Sequence, residues 1–477
     1  MKNRFFILGL TVAAIVFTVS GNAQTKLTLK QCIDTGLSNN LDVLQSELTM
    51  QSTKIDMNQA KLNLLPDLNG QAGQNFAQGR SIDPYSNSPV TQNYNTSQFG
   101  LNSGIVLFSG LSYQNRIKQT VLAFQAAKMD WQQVKDNLTI NIILAYLQVL
   151  NSNDQLVQAK NQADLSGKQV ERLQIMDKEG AVKPSDLATL KGQYAGDRLA
   201  IVNTENNVET SKLSLCQLLN IPYVKDLELE AIDLSSFGPR NEDTPDKIYS
   251  DALQQLAMIK AVDFRRQSAE KGLKVARGGL FPTLSFGFNA GTNYSSVASQ
   301  SQFVNRSYVP TTDSAFAGGN TKYPVYRFQD NFTPPSIIPY RDQLDNNIST
   351  SYGFTLNIPI FNRLLQRNTI KQAKITLKNS ELVAKTTRTR LNQSVNQAYF
   401  NMVSASGRHT ALVEQVSAYK ESFRAAEISF NEGVINSVEY LQVKNLNDQA
   451  NINLINAMYD YVLRSKVLDY YEGKPLW

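Results

Sequence analysis

From Leu111 to Ser166 the chain contains neither glycine nor proline, and apolar residues return at every seventh position. Ile117, Phe124, Trp131, Leu138 and Ala145 form one such series; Ile142, Val149, Leu156, Ala163 and Val170 form a second. Heptad spacing predicts a long helix with a coiled-coil-like seam. At the helical rise, a helix from about residue 112 to 178 reaches roughly 100 Å. Further along, Ile370, Leu377, Ala384, Leu391 and Ala398 repeat the spacing, as do Val395, Met402, His409, Val416 and Phe423. Both long helices run to a glycine, in Glu179-Gly180 and Glu432-Gly433, and return helices follow at Ser185–Leu219 and Ser437–Tyr470. Glycine suits the left-handed position that closes a helix, and Pro184 or Ser437 suits the start of the next.

A helix is also predicted at about Leu29 to Leu65. After it the period changes to two. Leu68, Gly70, Ala72 and Phe76 alternate with Asp67, Asn69, Gln71 and Gly73, and Phe99, Leu101, Ile105 and Leu107 stand against Gln98, Gly100, Asn102 and Gly104. Leu284, Phe286, Phe288 and Ala290 then alternate with Ser285, Gly287, Asn289 and Gly291; Tyr352, Phe354, Leu356 and Ile358 alternate with Ser351, Gly353, Thr355 and Asn357. Such alternation predicts strands with two different environments. Runs of about ten residues, apolar on one side and small or polar on the other, suit strands crossing an outer membrane around a wet lumen. Four strands cannot close a pore, and lipid tolerates no open sheet edge. Copies of the chain are therefore expected to pool strands, three copies giving about twelve, wide enough for an opening. Residues 77–97 and 292–348, rich in Asn, Ser, Gly, Pro and Tyr, read as solvated loops at the extracellular end.

The two halves are copies of one unit. Phe99–Pro222 slides onto Tyr352–Pro475 without a gap, at the 253-residue separation of Gly100 from Gly353. Asn115-Arg-Ile-Lys-Gln119 meets Asn368-Thr-Ile-Lys-Gln372, Ala145-Tyr146 meets Ala398-Tyr399, and Gly180 meets Gly433. Earlier, Pro66-Asp-Leu68 meets Pro282-Thr-Leu284 at an offset of 216. The second copy thus carries about 37 extra residues, the difference between the offsets. The resulting division is 1–23, a leader; 24–230, a first repeat with strands at about 66–76 and 98–108 and helices over about 111–219; and 231–477, a second with strands at about 282–291 and 349–361 and helices over about 363–471.

The leader changes the compartment. Lys2 and Arg4 precede an apolar run from Phe5 to Val19, and Ser20-Gly-Asn-Ala23 ends in small residues, the pattern of a secretory signal peptide cleaved after Ala23. The run is short for a membrane-spanning helix. Net charge is +6 and well mixed, with no basic stripe, so nucleic acid is not an expected partner. Cys32 and Cys216 are the only cysteines; the compartment permits a disulfide, and two small buried side chains are the simpler reading. The single histidine, His409, cannot build a zinc site or a Ser–His triad and reads as a helix-interface residue. No phosphate-binding loop, Cys-x-x-Cys pair or cluster of catalytic carboxylates occurs, so neither enzyme activity nor a cofactor or metal is expected. The repeat places Trp477 opposite Val224, beyond the return helix rather than at the end of a strand.

A signal peptide, a tandem repeat, two β-hairpins and two long helical hairpins together resemble the outer-membrane efflux protein family, the TolC-like channels. The resemblance covers essentially the whole mature chain. It rests on Pro66-Asp-Leu68 and Pro282-Thr-Leu284 at the strand starts, the junctions Phe108-Ser-Gly110 and Ile358-Pro-Ile-Phe361, and the paired Glu-Gly tips. It implies a mixed α and β fold: a homotrimer with a twelve-stranded barrel in the outer membrane, continued by an α-helical barrel in the periplasm. It implies a passive exit duct of a tripartite efflux pump or type I secretion system. The helix tips, with turns at Gly180 and Gly433, would meet a periplasmic adaptor (membrane fusion) protein linked to an inner-membrane transporter of the RND, ABC or MFS kind. The family's gate carboxylate, six residues after the tip glycine, falls on Glu439, and the first half has Asp186 there. The second carboxylate position holds Gln442, and an arginine sometimes found near the tip is Ile435 here, which departs from that family's ionic lock. Asp186 and Glu439 are equally first-turn charges that a helix dipole favours. The alternative assignment is a periplasmic coiled-coil adaptor or scaffold, which would share the leader and the helical hairpins.

Overall fold

The computed structural model describes residues 26–82, 87, 89–91, 93–232, 244–316 and 318–475. The expected leader, part of the first loop, and Trp477 lie outside these residues.

In chain order the elements are α1 (Leu29–Asn39), α2 (Leu41–Leu62), β1 (Asn69–Ala77), β2 (Arg80–Ile82), β3 (Pro89–Thr91), β4 (Tyr94–Ser109), α3 (Ser112–Lys178) and α4 (Pro184–Leu219). The second half has α5 (Pro245–Gln255), α6 (Ala257–Gly278), β5 (Thr283–Ser295), β6 (Ser299–Gln300), β7 (Phe303–Phe316), β8 (Lys322–Phe332), β9 (Ser336–Ile337), α7 (Tyr340–Asn346), β10 (Ser349–Asn357), α8 (Leu365–Asn431) and α9 (Ser437–Tyr471). The four long helices and four long strands fall where the periodicity predicts. Three features differ.

The helix expected at about 29–65 is broken at Asn40, whose extended backbone closes α1. Its Oδ1 then accepts from the amides of Asp42 and Val43, starting α2. Helices α5 and α6 lie outside the predicted pattern, yet they repeat the same break at the offset of 216: Leu256 replaces Asn40, and its amide bonds to Ala252 as that of Asn40 bonds to Gly36. The span 292–348 is not a bare loop. It holds paired β6 and β9, an antiparallel ribbon of β7 and β8, and α7. Gln343 of α7 binds the backbone of Ser295 through both its amide atoms and donates to the Ile338 carbonyl.

One compact unit comprises the described residues within 1–55, 120–269 and 376–477. Its cores are repeat-related. The first packs Cys32 and Ile33 of α1 against Leu138, Ile142 and Tyr146 of α3 and Leu215 and Leu219 of α4. The second packs Ile248 and Ile259 against Leu391, Val395 and Met402 of α8 and Leu468 of α9. Each such aliphatic side chain contributes roughly 1.5–3 kcal/mol on full burial. Cys32 and Cys216 are both free and buried in the first core. His409 stacks on Tyr461 at 5.9 Å, a packed interface position as expected.

The other unit comprises the described residues within 56–119 and 270–375. Its main sheet is antiparallel in the order β1-β4-β5-β10. The register puts Ala72, Phe99, Leu101, Ile105, Phe286, Phe288, Tyr352, Phe354 and Leu356 on one face. The other carries Gln71, Gly100, Asn102, Gly287, Asn289, Gly353 and Thr355. This is the two-environment pattern read from the alternation. Each strand pair leads into its helix through two consecutive left-handed residues, Gly110-Leu111 and Arg363-Leu364, again 253 apart.

Candidate functional site at the helical tips

Both tips close by the same device. Gly180 has φ 70° and Gly433 φ 74°. At the first, the Gly180 amide bonds to the Asp177 carbonyl and that of Ala181 to Met176, at 3.0 and 2.9 Å. At the second, Gly433 bonds to Phe430 and Val434 to Ser429, at 3.2 and 2.8 Å. This pair of bonds satisfies carbonyls that the helix end would leave open, and it needs a left-handed residue at the glycine position. The return helices start differently: α4 has Pro184 in its first turn and no side-chain cap, whereas Asn436 caps α9 by accepting from the amides of Val438 and Glu439.

The tips share one apolar core. Val170 and Leu173 of α3, Leu187 and Leu190 of α4, and Tyr440 and Leu441 of α9 are buried there, with Phe430 and Ile435 packed against them. Ile435, at the position of the family's occasional arginine, therefore supplies packing rather than charge. Phe430 stacks on Tyr440 at 4.6 Å.

The candidate gate residues have separate surroundings. Glu439 is exposed in the first turn of α9, where Asn436 Nδ2 reaches its Oε1 at 3.3 Å. Gln442 is exposed one turn on. Asp186 is half-buried, and its Oδ1 accepts from the Ser437 hydroxyl at 2.7 Å, a bond between the two hairpins. Asp186 and Ser437 thus come together, while Glu439 and Gln442 stay free of that contact.

A charged cluster nearby was not among the sequence candidates. Lys444 is fully buried, with 1% of its side chain exposed. Its ammonium lies 2.7 Å from Asp448 on its own helix and 3.2 Å from Asp197 of α4. Asp197 also accepts from Gln193 at 2.8 Å and from the Ser166 hydroxyl of α3. Burial pushes the Asp448 carboxyl above the ordinary carboxylate range, against the pull of the Lys444 ammonium. The sequence held two traces of it: Asp448 stands one helical turn from Lys444, and Lys444 falls on the same helical face as Ser437, Tyr440 and Leu441, the face that turns inward.

Paired strand hairpins with one apolar and one polar face, joined to paired helical hairpins with twin glycine tips, define the architecture of an outer-membrane channel. The chain belongs to the outer membrane efflux protein family, which it matches over residues 32–220 and 248–473. It is 22% identical over 453 residues to outer membrane protein TolC of Vibrio cholerae serotype O1, spanning 91% of this chain and 93% of that protein. Among solved structures it is similar to the outer membrane protein VceC of Vibrio cholerae, with a TM-score of 0.72 at 12% identity over 94% of this chain and 97% of that one. It is also similar to the CmeC outer membrane channel of Campylobacter jejuni, with a TM-score of 0.71 at 16% identity over 93% and 85%. The chain is an outer-membrane exit duct for efflux with a large periplasmic portion. The alternative of a periplasmic adaptor or scaffold is not favoured.

Proposed function

We propose that three copies pool their strands into one twelve-stranded barrel that opens into a helical tunnel, a passive duct whose periplasmic end is gated at the helix tips. The observation that carries this reading is the open four-stranded sheet. Tyr352, Phe354 and Leu356 on its apolar face are 78%, 69% and 58% exposed, and β1 and β10 are edges without a further strand among the described residues. Apolar exposure suits lipid, but free edges do not, because each unpaired backbone group in hydrocarbon costs several kcal/mol. Joining β1 of one copy to β10 of the next removes every edge. Two copies would give about eight strands with an interior filled by side chains; three leave a lumen.

The turns at Gly180 and Gly433 are where a periplasmic adaptor would dock. Beyond it stands an inner-membrane transporter of the RND, ABC or MFS kind, which supplies the energy for efflux or type I secretion. Glu439 is the charge free to line the gate, with Gln442 beside it. Three copies would give a carboxylate ring that favours cations. Asp186, engaged by Ser437, serves to tie the hairpins.

Mass measurement and planar-bilayer recording of the detergent-purified protein test this directly. A trimer passing small, cation-selective steps is expected. A monomer that forms no channel would refute the pooled barrel. In the same recordings Glu439→Gln should lower cation selectivity; unchanged selectivity removes Glu439 from the gate.

A further inference from the structure

The buried charges around Lys444 have no place in the gate as described, and burying them is costly. An ammonium and two carboxylates taken from water lose several kcal/mol of hydration each, and apolar residues of similar size would hold the helices together as well or better. What such a cluster supplies is uniqueness of arrangement, because it is satisfied in one register only.

We propose that Lys444 is an internal counter-cation that fixes the register of the α8–α9 hairpin against the α3–α4 hairpin and so holds the tips in their resting arrangement. Three observations carry it. The ammonium spans both hairpins, bonding Asp448 of α9 at 2.7 Å and Asp197 of α4 at 3.2 Å. Asp197 is itself positioned by Gln193 of α4 and Ser166 of α3, so three helices converge on one carboxylate. The neighbouring contacts are apolar, through Leu187, Leu190, Tyr440 and Leu441, and apolar surfaces slide on one another at small cost. A one-turn slip of α9, about 5.4 Å, would leave much of that apolar burial in place. It would strand the ammonium and Asp197 without each other. The Ser437–Asp186 bond is a second tie closer to the tips, at 2.7 Å. Two ties along one helix pair fix its angle as well as its register.

The two carboxylates have different duties. Asp197 bonds the ammonium across the hairpins, whereas Asp448 bonds it from the same helix, four residues away, and faces the Gln162 amide of α3, a contact that asparagine at 448 can keep. The register claim stands on this geometry alone; its consequence for conduction rests on the gate reading above.

The experiment measures the α4–α9 distance by pulsed electron resonance between spin labels at Lys191→Cys and Gln449→Cys, both exposed positions, in labelled protomers diluted among unlabelled copies. One narrow distance is expected without further change. Asp197→Asn should broaden or split it, and Asp448→Asn should leave it narrow. Lys444→Met should raise the out-of-register fraction by about 100-fold or more, as a stranded buried charge implies. If that variant fails to assemble, Lys444→Met combined with Asp197→Asn and Asp448→Asn, which strands no charge, should assemble and give the broad distribution. A narrow distance in Asp197→Asn and in the triple variant, or equal effects of Asp197→Asn and Asp448→Asn, overturns the proposal. Broad distances with unchanged conductance would leave the register role standing and remove the gate reading instead.

Discussion

Replacing Gly433 by alanine isolates the energetics of one tip. The backbone there has φ 74°, and a Cβ built on it meets nothing within 4 Å. Steric collision with neighbours is therefore absent, and the whole cost is that of a left-handed conformation for an L-residue, about 1–2 kcal/mol. The strain acts on the two bonds that close the helix, Gly433 to Phe430 and Val434 to Ser429. Local opening of the tip should rise by a factor of about 5–30 for that energy. Gly433→Asn should open less, because asparagine tolerates the left-handed region. The chain contains its own precedent: Asn220 occupies the same motif at the end of α4, with φ 51°, where the second repeat uses Gly473. Amide hydrogen exchange read by mass spectrometry over residues 429–437 measures the effect, with the Leu391–Met402 core segment as an internal control. Exchange in Gly433→Ala equal to that of the unaltered protein, or faster exchange in the asparagine variant than in the alanine one, would refute the strain argument.

Other consequences follow from particular contacts. Tyr146→Phe removes the hydroxyl that donates to the Glu230 carbonyl at 2.6 Å, while the Leu27 carbonyl keeps the Glu230 amide at 3.1 Å; one acceptor is orphaned, at about 1–2 kcal/mol, and exchange at 26–31 and 227–231 should quicken while the tips stay unchanged. Arg363→Gly should stabilise the second strand-to-helix junction by about 1 kcal/mol, because φ 54° strains arginine and the first repeat already has Gly110 there; a thermal midpoint lower than the parent's would contradict this. The Cys32 thiol is pushed up to about 11, by burial first and then by the nearby Cys216. The folded state thus holds this proton more tightly than the unfolded state, so the contribution is complete below the ordinary thiol value near 9.0 and is lost as pH rises from there towards 11. Thermal scans should show a shallower alkaline decline in Cys32→Ala than in the parent, and equal slopes would count against the buried-thiol account.

Much of this architecture was legible in the residues because it depends on local spacing. The heptads from Ile117 and Ile370 announce α3 and α8, since a helical period places those positions on one side whatever they pack against. The alternation through Phe354 and Leu356 gives both faces of β10; the observed pairing with Phe286 and Leu284 keeps those faces, but a two-residue shift would keep them too, so the sheet sets that register. The tip glycines were readable because few residues other than glycine close a helix in the left-handed region. Helices α5 and α6 were not read from the sequence, although the offset of 216 sets them opposite α1 and α2. Their own sequence lacks a cap like Asn40, and Leu256 takes an extended backbone without a side-chain reason.

Sequence by itself determined the two-copy plan, the strand faces, the extent of the four long helices and the position of both tips, each a consequence of periodicity or of one residue's backbone freedom. Tertiary structure decided which charges matter. Asp186 lies 251 residues from Ser437 and Asp197 lies 247 from Lys444, so nothing local links either pair. A helical pattern shows that Lys444 faces inward with Asp448 one turn on, but not that a second carboxylate meets it. Only the packing of the second hairpin against the first adds Asp197, and with it the cross-hairpin partner of the buried lysine.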